Sequence, residues 1–355
     1  MPLSPTQHTV PAARCPFAHE RATPPTRGIS VVTGASGHVG VNLVSALRDA
    51  GRTVRAVVPA PTRALDGLDV EVVYADVRHP ETLRAAFRGA DTVFHLAARI
   101  SIDADHDGQV HAVNVWGARN AAEAALAMGV RRFVHMSSVH AYDLMHPGVL
   151  DEDGPRAGVH SAAYDRSKAL GEAEVQKVVA RGLDAVIVNP VGIVGPGDHG
   201  TSHTGRGLRD IAQGRVPVVP AGGFHFVDVR DVVHSALAAA ERGRTGANYL
   251  LPGTWASSLD LAREVLAVVG GRPPRVLSAP FFHGAARVIT LGARTLGRPS
   301  LLTPEMVRTL QATPHISGAR AAAELGHHPR PLRDAVRDSL AWYRAHGLLR
   351  AEVAA

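Results

Sequence analysis

The chain has 355 residues, 45% hydrophobic and 5% aromatic, with a formal net charge of +6 and one cysteine. That length supports one large domain, or a main domain with a smaller appendage, and a core that needs no disulfide staples; Cys15 has no partner in the chain and suits a reducing compartment. The basic residues are scattered and aromatics are scarce, which excludes nucleic acid as the partner, and no apolar run reaches the roughly 18 to 20 residues of a bilayer span.

Residues 1–28 mix proline, histidine and arginine without the apolar centre of a secretory signal. They are read as a disordered tail, and the protein as cytoplasmic. The next ten residues or so carry the strongest local signal. An apolar run, Ile29 to Val32, leads into Thr33-Gly34-Ala35-Ser36-Gly37-His38-Val39-Gly40. Val39, Leu43, Ala46 and Leu47 then recur at helical spacing, so a buried strand turns into a helix at the glycines. Gly34 permits the tight turn, Gly37 lets the backbone approach a pyrophosphate, and Gly40 lets the helix pack close to the sheet. The helix N-terminus supplies unpaired N–H groups and the positive end of its dipole. The stretch reads as a dinucleotide clamp.

Strand-like runs then alternate with amphipathic stretches up to residue 190, as in a doubly wound parallel sheet. Strands are expected at 30–33, 54–58, 70–74, 92–96, 132–137 and 185–189, and helices at 39–50, 81–88, 111–128 and 163–181; six strands make the full sheet. The division is a nucleotide-binding domain over 29–190 and a smaller, mostly helical substrate lobe over 191–355, with elements returning to the main domain. The lobe opens on a Gly-, Pro- and His-rich loop, 192–207, read as folding over substrate. His199 and His203 in it have ligand-like spacing but no third ligand, so no metal site is read. Helices follow at 208–213, 229–242, 259–269, 282–296, 304–311 and 332–345. The stretch 281–296 is read as an amphipathic cap helix rather than a membrane-surface helix.

Tyr164 and Lys168 stand four apart, which on a helix brings phenol and ammonium to one face. A close ammonium favours the phenolate and draws the phenol's pKa toward working pH, which suits proton exchange with a substrate oxygen. The run Phe133 to Ser138 ends in two serines where a parallel strand opens onto the crevice, and a hydroxyl there can bind the same oxygen.

In order, these segments resemble the extended short-chain dehydrogenase/reductase family, also called the NAD-dependent epimerase/dehydratase superfamily. The glycine pattern is followed by Asp76-Val77, Phe94 to Ala98, Asn114-Val115, Ser137-Ser138, Tyr164 to Lys168, Gly195-Pro196-Gly197-Asp198, Phe226 to Val232 and Glu324-Leu325-Gly326. The resemblance implies a Rossmann-type α/β fold, with Tyr164 as acid/base, Lys168 tuning it and holding the nicotinamide ribose, and Ser138 orienting the substrate oxygen. For cofactor binding it implies Gly34, Ser36, Gly37, His38, Val39 and Gly40 at the phosphates and Asp76 and Val77 at the adenine. Leu96, Ala97 and Ala98 would lie along the riboses, Asn114 and Ser137 would support the site, and Pro190, Val191 and Gly192 would pass near the nicotinamide. It also implies a homodimer through the helices at 111–128 and 163–181, although a monomer is common too.

The cofactor is read as NADP or NAD. The second strand ends in Val58-Pro59-Ala60-Pro61-Thr62-Arg63, with no acid for a ribose diol, and Arg63, or Arg55, favours the extra phosphate of NADP. Gly192-Ile193-Val194-Gly195 lacks the asparagine of sugar-nucleotide enzymes, and the run 188–198 looks more like the dihydroflavonol-reductase and 3β-hydroxysteroid-dehydrogenase branch. The leading reading is therefore hydride transfer to or from a carbonyl or hydroxyl carbon of a small, fairly apolar substrate, lined by Ile100, His140, Tyr142, Phe224 and Phe226. A nucleotide-sugar epimerase or dehydratase and a catalytically silent regulator are the alternatives.

Overall fold

The computed structural model describes residues 28–349 apart from 102–104, 106, 201, 279, 282–303 and 314. Its centre is a parallel sheet of β1 (Ile29–Thr33), β2 (Thr53–Val58), β3 (Glu71–Tyr74), β4 (Ala90–His95), β5 (Arg132–Met136), β6 (Ala185–Pro190) and β10 (Asn248–Leu251). The strand order is β10-β6-β5-β4-β1-β2-β3. The inner strands β1, β4, β5 and β6 read as almost unbroken apolar runs because helices cover both faces, so neither face needs polar alternation. On one face lie the helices His38–Asp49 and Val229–Arg242; on the other lie Pro80–Ala86, the long helix 109–127 with a π-helical turn at Ala112–Trp116, and Ala163–Val179.

The six expected strands form, with ends shifted by at most two residues. The expectation that six complete the sheet is corrected. β10 pairs in parallel with β6 through Asn248↔Ile187 to Leu251↔Pro190, so the chain returns to the main sheet after the lobe has begun. The expected loop 192–207 is also shorter than read. It opens with β7 (Gly192–Val194) and ends in a helix from His203, capped where Ser202 Oγ accepts from Gly205 N. The expected helix at 282–296, and the tail at 1–27, lie outside the described residues.

The lobe pairs β7 with β9 (Gly223–Asp228) and β9 with β11 (Thr254–Ser257), while β8 (Val218–Pro220) pairs with β12 (Arg275–Leu277). Helices His203–Ala212, Ser258–Val269 and Leu332–Ala345 share a separate core of Val194, Leu208, Ala262, Val265, Val336 and Tyr343. The family landmark at 226–232 is structural here. Asp228 caps its helix, and Arg230 reaches from Asp228 to Asp338 on the C-terminal helix. Among the described residues no helix is long and apolar enough to cross a membrane.

A polar row crosses the sheet where three strands end. Thr33, His95 and His135 are register partners on β1, β4 and β5. Thr33 Oγ1 and His95 Nδ1 share a 2.8 Å hydrogen bond, and the two imidazoles stack at 5.4 Å. Burial holds His95 down to about 3 and pushes His135 well below the ordinary histidine value; the Lys168 ammonium adds to both. Both are therefore neutral in the fold, whereas the unfolded chain binds protons below about pH 6.5. Stability contributed by these groups is complete above that value and falls as pH drops, by about 2 kcal/mol at pH 5 for His95 and in the same direction for His135. Urea titrations between pH 7 and 5 will show this loss, and His135→Phe will reduce it; a stability flat across the interval would contradict the neutral pair.

Candidate active site

The first turn of helix His38–Asp49 forms one end of the candidate site. Gly37, exposed, is its N-cap, with no side chain capping the helix and no acidic residue in its first turn. Gly34 sits at φ +68°, and a Cβ on it would lie 2.7 Å from Ala97 N. A Cβ on Gly40 would lie 2.2 Å from Gly34 O. The loop is thus pressed against the end of β4 by the absence of side chains, and the uncapped helix N-terminus behind it can receive phosphate oxygens. Ser36 and Val39 flank this turn, half-buried. His38 belongs to it through its backbone. Its imidazole turns away, Nε2 lying 3.1 Å from Gly195 O and 3.0 Å from Pro196 O, and burial lowers its pKa.

Leu96, Ala97 and Ala98 continue from β4 beside the glycine loop, with Leu96 N donating to Thr33 O. Asp76 and Val77 lie past β3. Val77 is buried, and Asp76 accepts from Arg78 Nε at 3.0 Å, an interaction that lowers its carboxyl pKa. Arg55 is not available to a phosphate, correcting that expectation, because its guanidinium is bound to Glu71 at 2.8 Å and to the carbonyls of Ala86 and Arg88. Arg63 is exposed, and its guanidinium has no hydrogen-bond or ionic partner among the described residues. Asn114 is committed to support. It binds the backbone of Arg99 through both side-chain atoms and donates to Ser167 Oγ on the tyrosine helix.

Ser138 closes β5 as the N-cap of a short turn, its Oγ accepting from His140 N. Helix Ala163–Val179 brings the half-buried Tyr164 beside it, near enough for the Ser138 hydroxyl to favour the phenolate. The tyrosine helix and the 109–127 helix approach closely because residue 171 is glycine: a Cβ there would meet Asn114 O at 2.4 Å. Burial pushes the Tyr164 phenol up to about 12, against the pull of the Ser138 hydrogen bond and helped by Asp165. Lys168 is buried on the same helix, and its Nζ donates to Met136 O at 3.1 Å. Burial lowers it to about 8, opposed by Glu172. The expectation that Lys168 already draws down the tyrosine is therefore corrected: its charge is engaged with a strand-end carbonyl, and desolvation dominates the phenol.

Three buried polar atoms at these strand ends have no partner: His95 Nε2, His135 Nδ1 and Ser137 Oγ. Orphaned polar atoms at a crevice, together with a side-chain-free cradle, fit a nicotinamide dinucleotide laid across the strand ends. Pro190, Val191 and Gly192 run along this edge as β6 passes into β7.

Of the expected substrate residues, His140 and Phe224 come together, their rings 5.7 Å apart, with Phe226 6.3 Å beyond Phe224. His140 also lies edge-on to Tyr164 at 5.4 Å and shares a 2.8 Å bond with Asp165. Ile100 is exposed on the loop after β4. Tyr142 is corrected to a core residue, 1% exposed beneath the Arg156 guanidinium, because the turn after Ser138 points it inward. Sequence reasoning missed Asp165, Glu172, Asn189 and Asn248, whose partners are distant in the chain.

Comparison with known proteins agrees with this geometry. Residues 30–251 match the NAD dependent epimerase/dehydratase family. The chain is 35% identical to "Sterol demethylase protein B" of Methylococcus capsulatus over 90% of this chain and 99% of that protein. It is 30% identical to a "Putative dihydroflavonol 4-reductase" of Synechocystis over 90% of this chain and 96% of that one. The crystal structure of gox2253, 34% identical, superposes with a TM-score of 0.79 over 91% of this chain and all of that one. The chain belongs to the NAD dependent epimerase/dehydratase family, and is an NAD(P)-dependent oxidoreductase of the extended short-chain dehydrogenase/reductase type, on the dihydroflavonol-reductase and 3β-hydroxysteroid-dehydrogenase side of it.

Proposed function

We propose that this protein interconverts a ketone and a secondary alcohol on a largely apolar, ring-bearing small molecule, using Tyr164 as the proton-transfer group. The observation that carries the reading is that Tyr164, beside the Ser138 hydroxyl, stands one helical turn before a buried Lys168 ammonium bound to the end of β5. The nicotinamide, when bound, exchanges the hydride with the substrate carbon. In the reducing direction Ser138 donates to the substrate oxygen and Tyr164 passes it a proton. Lys168, as a cation, stabilises the phenolate left behind. A phenol near 12 in the free protein stays protonated at neutral pH, which is the form that reduction needs.

The aromatic wall of His140, Phe224 and Phe226 suits a flat apolar ring system, and the relatives named for sterol and flavonol chemistry support that class. Arg63 supports NADP over NAD, since among the described residues its guanidinium has no partner and the segment Val58 to Arg63 at the end of β2 carries no acid to bind a ribose diol. The helices 109–127 and 163–179 leave Trp116 and Leu170 exposed, which supports a homodimer through them.

Tyr164→Phe will lower kcat by about 10²- to 10⁴-fold while nucleotide affinity is kept. Stopped absorbance assays with added NAD(P)H check this, and undiminished turnover would remove Tyr164 from the reaction. A sugar-nucleotide epimerase, by contrast, would convert its substrate with no net change in that absorbance. Arg63→Ala will weaken NADPH binding by about tenfold and leave NADH binding unchanged, measured by cofactor fluorescence. Equal effects on both would free Arg63 from the phosphate.

A further inference from the structure

Glu172, 1% exposed, is a buried carboxylate one helical turn beyond Lys168, and the proton-transfer scheme above makes no use of it. Its donors come from three separate parts of the fold. Oε1 accepts from Asn189 Nδ2 of β6 at 2.5 Å, and Oε2 accepts from Asn248 Nδ2 of β10 at 2.8 Å. The Arg156 guanidinium closes on Oε2 from the loop before the tyrosine helix. Asn248 also donates to Asn189 Oδ1 at 3.0 Å, and Asn189 donates to the backbone carbonyl of Ser138 at 3.0 Å. One carboxylate therefore ties the helix carrying Tyr164 and Lys168 to the strand end carrying Ser138.

We propose that Glu172 is a positioning residue for the proton-transfer site, fixing Ser138 through Asn189 and holding Lys168, along their shared helix, in its charged form. The inference rests on the roles given above to Tyr164, Ser138 and Lys168. A buried charge costs several kcal/mol unless it is paired and fully hydrogen-bonded, so a carboxylate here needs the complete donor set it has. A neutral side chain of the same size would tie helix to strands, but it would not oppose the desolvation of the lysine.

The charged and titratable groups around the pair are few. Lys168 faces the imidazoles of His95 and His135 from β4 and β5, both neutral, and the Met136 carbonyl. Tyr164 and Glu172 share its helix. Glu172 faces Arg156 and the Tyr142 phenol, with Glu152 and Arg320 behind that ring. Burial brings Lys168 to about 8 with Glu172 acting upward, so removing the carboxylate charge lowers the lysine further. Lys168 then loses its proton, and the site its cation, at a lower pH.

The test is the basic limb of the pH profile of kcat/KM, recorded with NAD(P)H and a ketone the enzyme reduces, together with the pH dependence of NAD(P)H binding. Glu172→Gln will shift the limb acidward by about one pH unit or more, and Glu172→Asp will restore part of the shift. Arg156→Met supplies the opposite sign and an independent variant, since Arg156 is 40% exposed and its loss leaves the carboxylate less compensated. Its limb will move to higher pH. Profiles of folded Glu172→Gln and Arg156→Met that superimpose on the wild type, with only thermal stability changed, would reduce Glu172 to a staple and overturn the proposal. If Glu172→Gln does not fold, the direction of the Arg156→Met shift decides. A wild-type protein that binds NAD(P)H but reduces no ketone counts against the function proposed above, whereas reduction with an invariant limb counts against Glu172 alone.

Discussion

A lysine ammonium buried where parallel strands end is the constraint around which this structure is arranged. Lys168, 4% exposed, has a strand-end carbonyl as its hydrogen-bond acceptor and a carboxylate one turn away, and burial still lowers it to about 8. Its neighbours carry the consequence. His95 and His135 stay neutral beside it, and the glycine at 171 lets the lysine helix sit close enough to the 109–127 helix for Asn114 to reach Ser167. A parallel α/β sheet concentrates such groups at its carboxyl edge, since the apolar runs that build the strands stop there and the loops begin.

A short loop links the glycine-loop helix to the lobe. Gly195 to Asp198 is held on one side by His38 and Asn42 of the phosphate helix, and a Cβ on Gly197 would lie 2.5 Å from the Asn42 amide. On the other side buried Asp198 accepts from Ser202 and from Tyr343 of the C-terminal helix at 3.0 Å, while His199 packs edge-on to Trp342 at 4.8 Å. This is where the sequence suggested a loop folding over substrate. The contacts make it a bracket between cofactor helix and lobe.

What was legible in the sequence was local. The apolar runs of the inner strands, the glycines at 34, 37 and 40 and the Tyr164 to Lys168 spacing each depend on neighbours a few residues away, and each forms as read. β10 escaped because Asn248 to Leu251 is a four-residue run whose only signal is its pairing with β6, about sixty residues back. Helix Ala319–Leu325 escaped because it is short and alanine-rich, without an apolar stripe. Arg55 was misjudged because strand sequence does not reveal that Glu71 stands opposite, and Tyr142 because an aromatic just after Ser138 points inward as easily as outward. The Glu172 network spans separations of 17 and 76 residues and has no local signature.

In the proposed reaction hydride leaves the nicotinamide for an external carbon rather than returning within a turnover. Nicotinamide deuterated at its transferable position, incubated with enzyme and a ketone substrate, gives the most direct measurement, read by mass spectrometry of the product. The expected product carries one deuterium on the carbinol carbon, with an equal amount of oxidised cofactor. Product that carries no deuterium while the cofactor stays reduced would contradict that reaction.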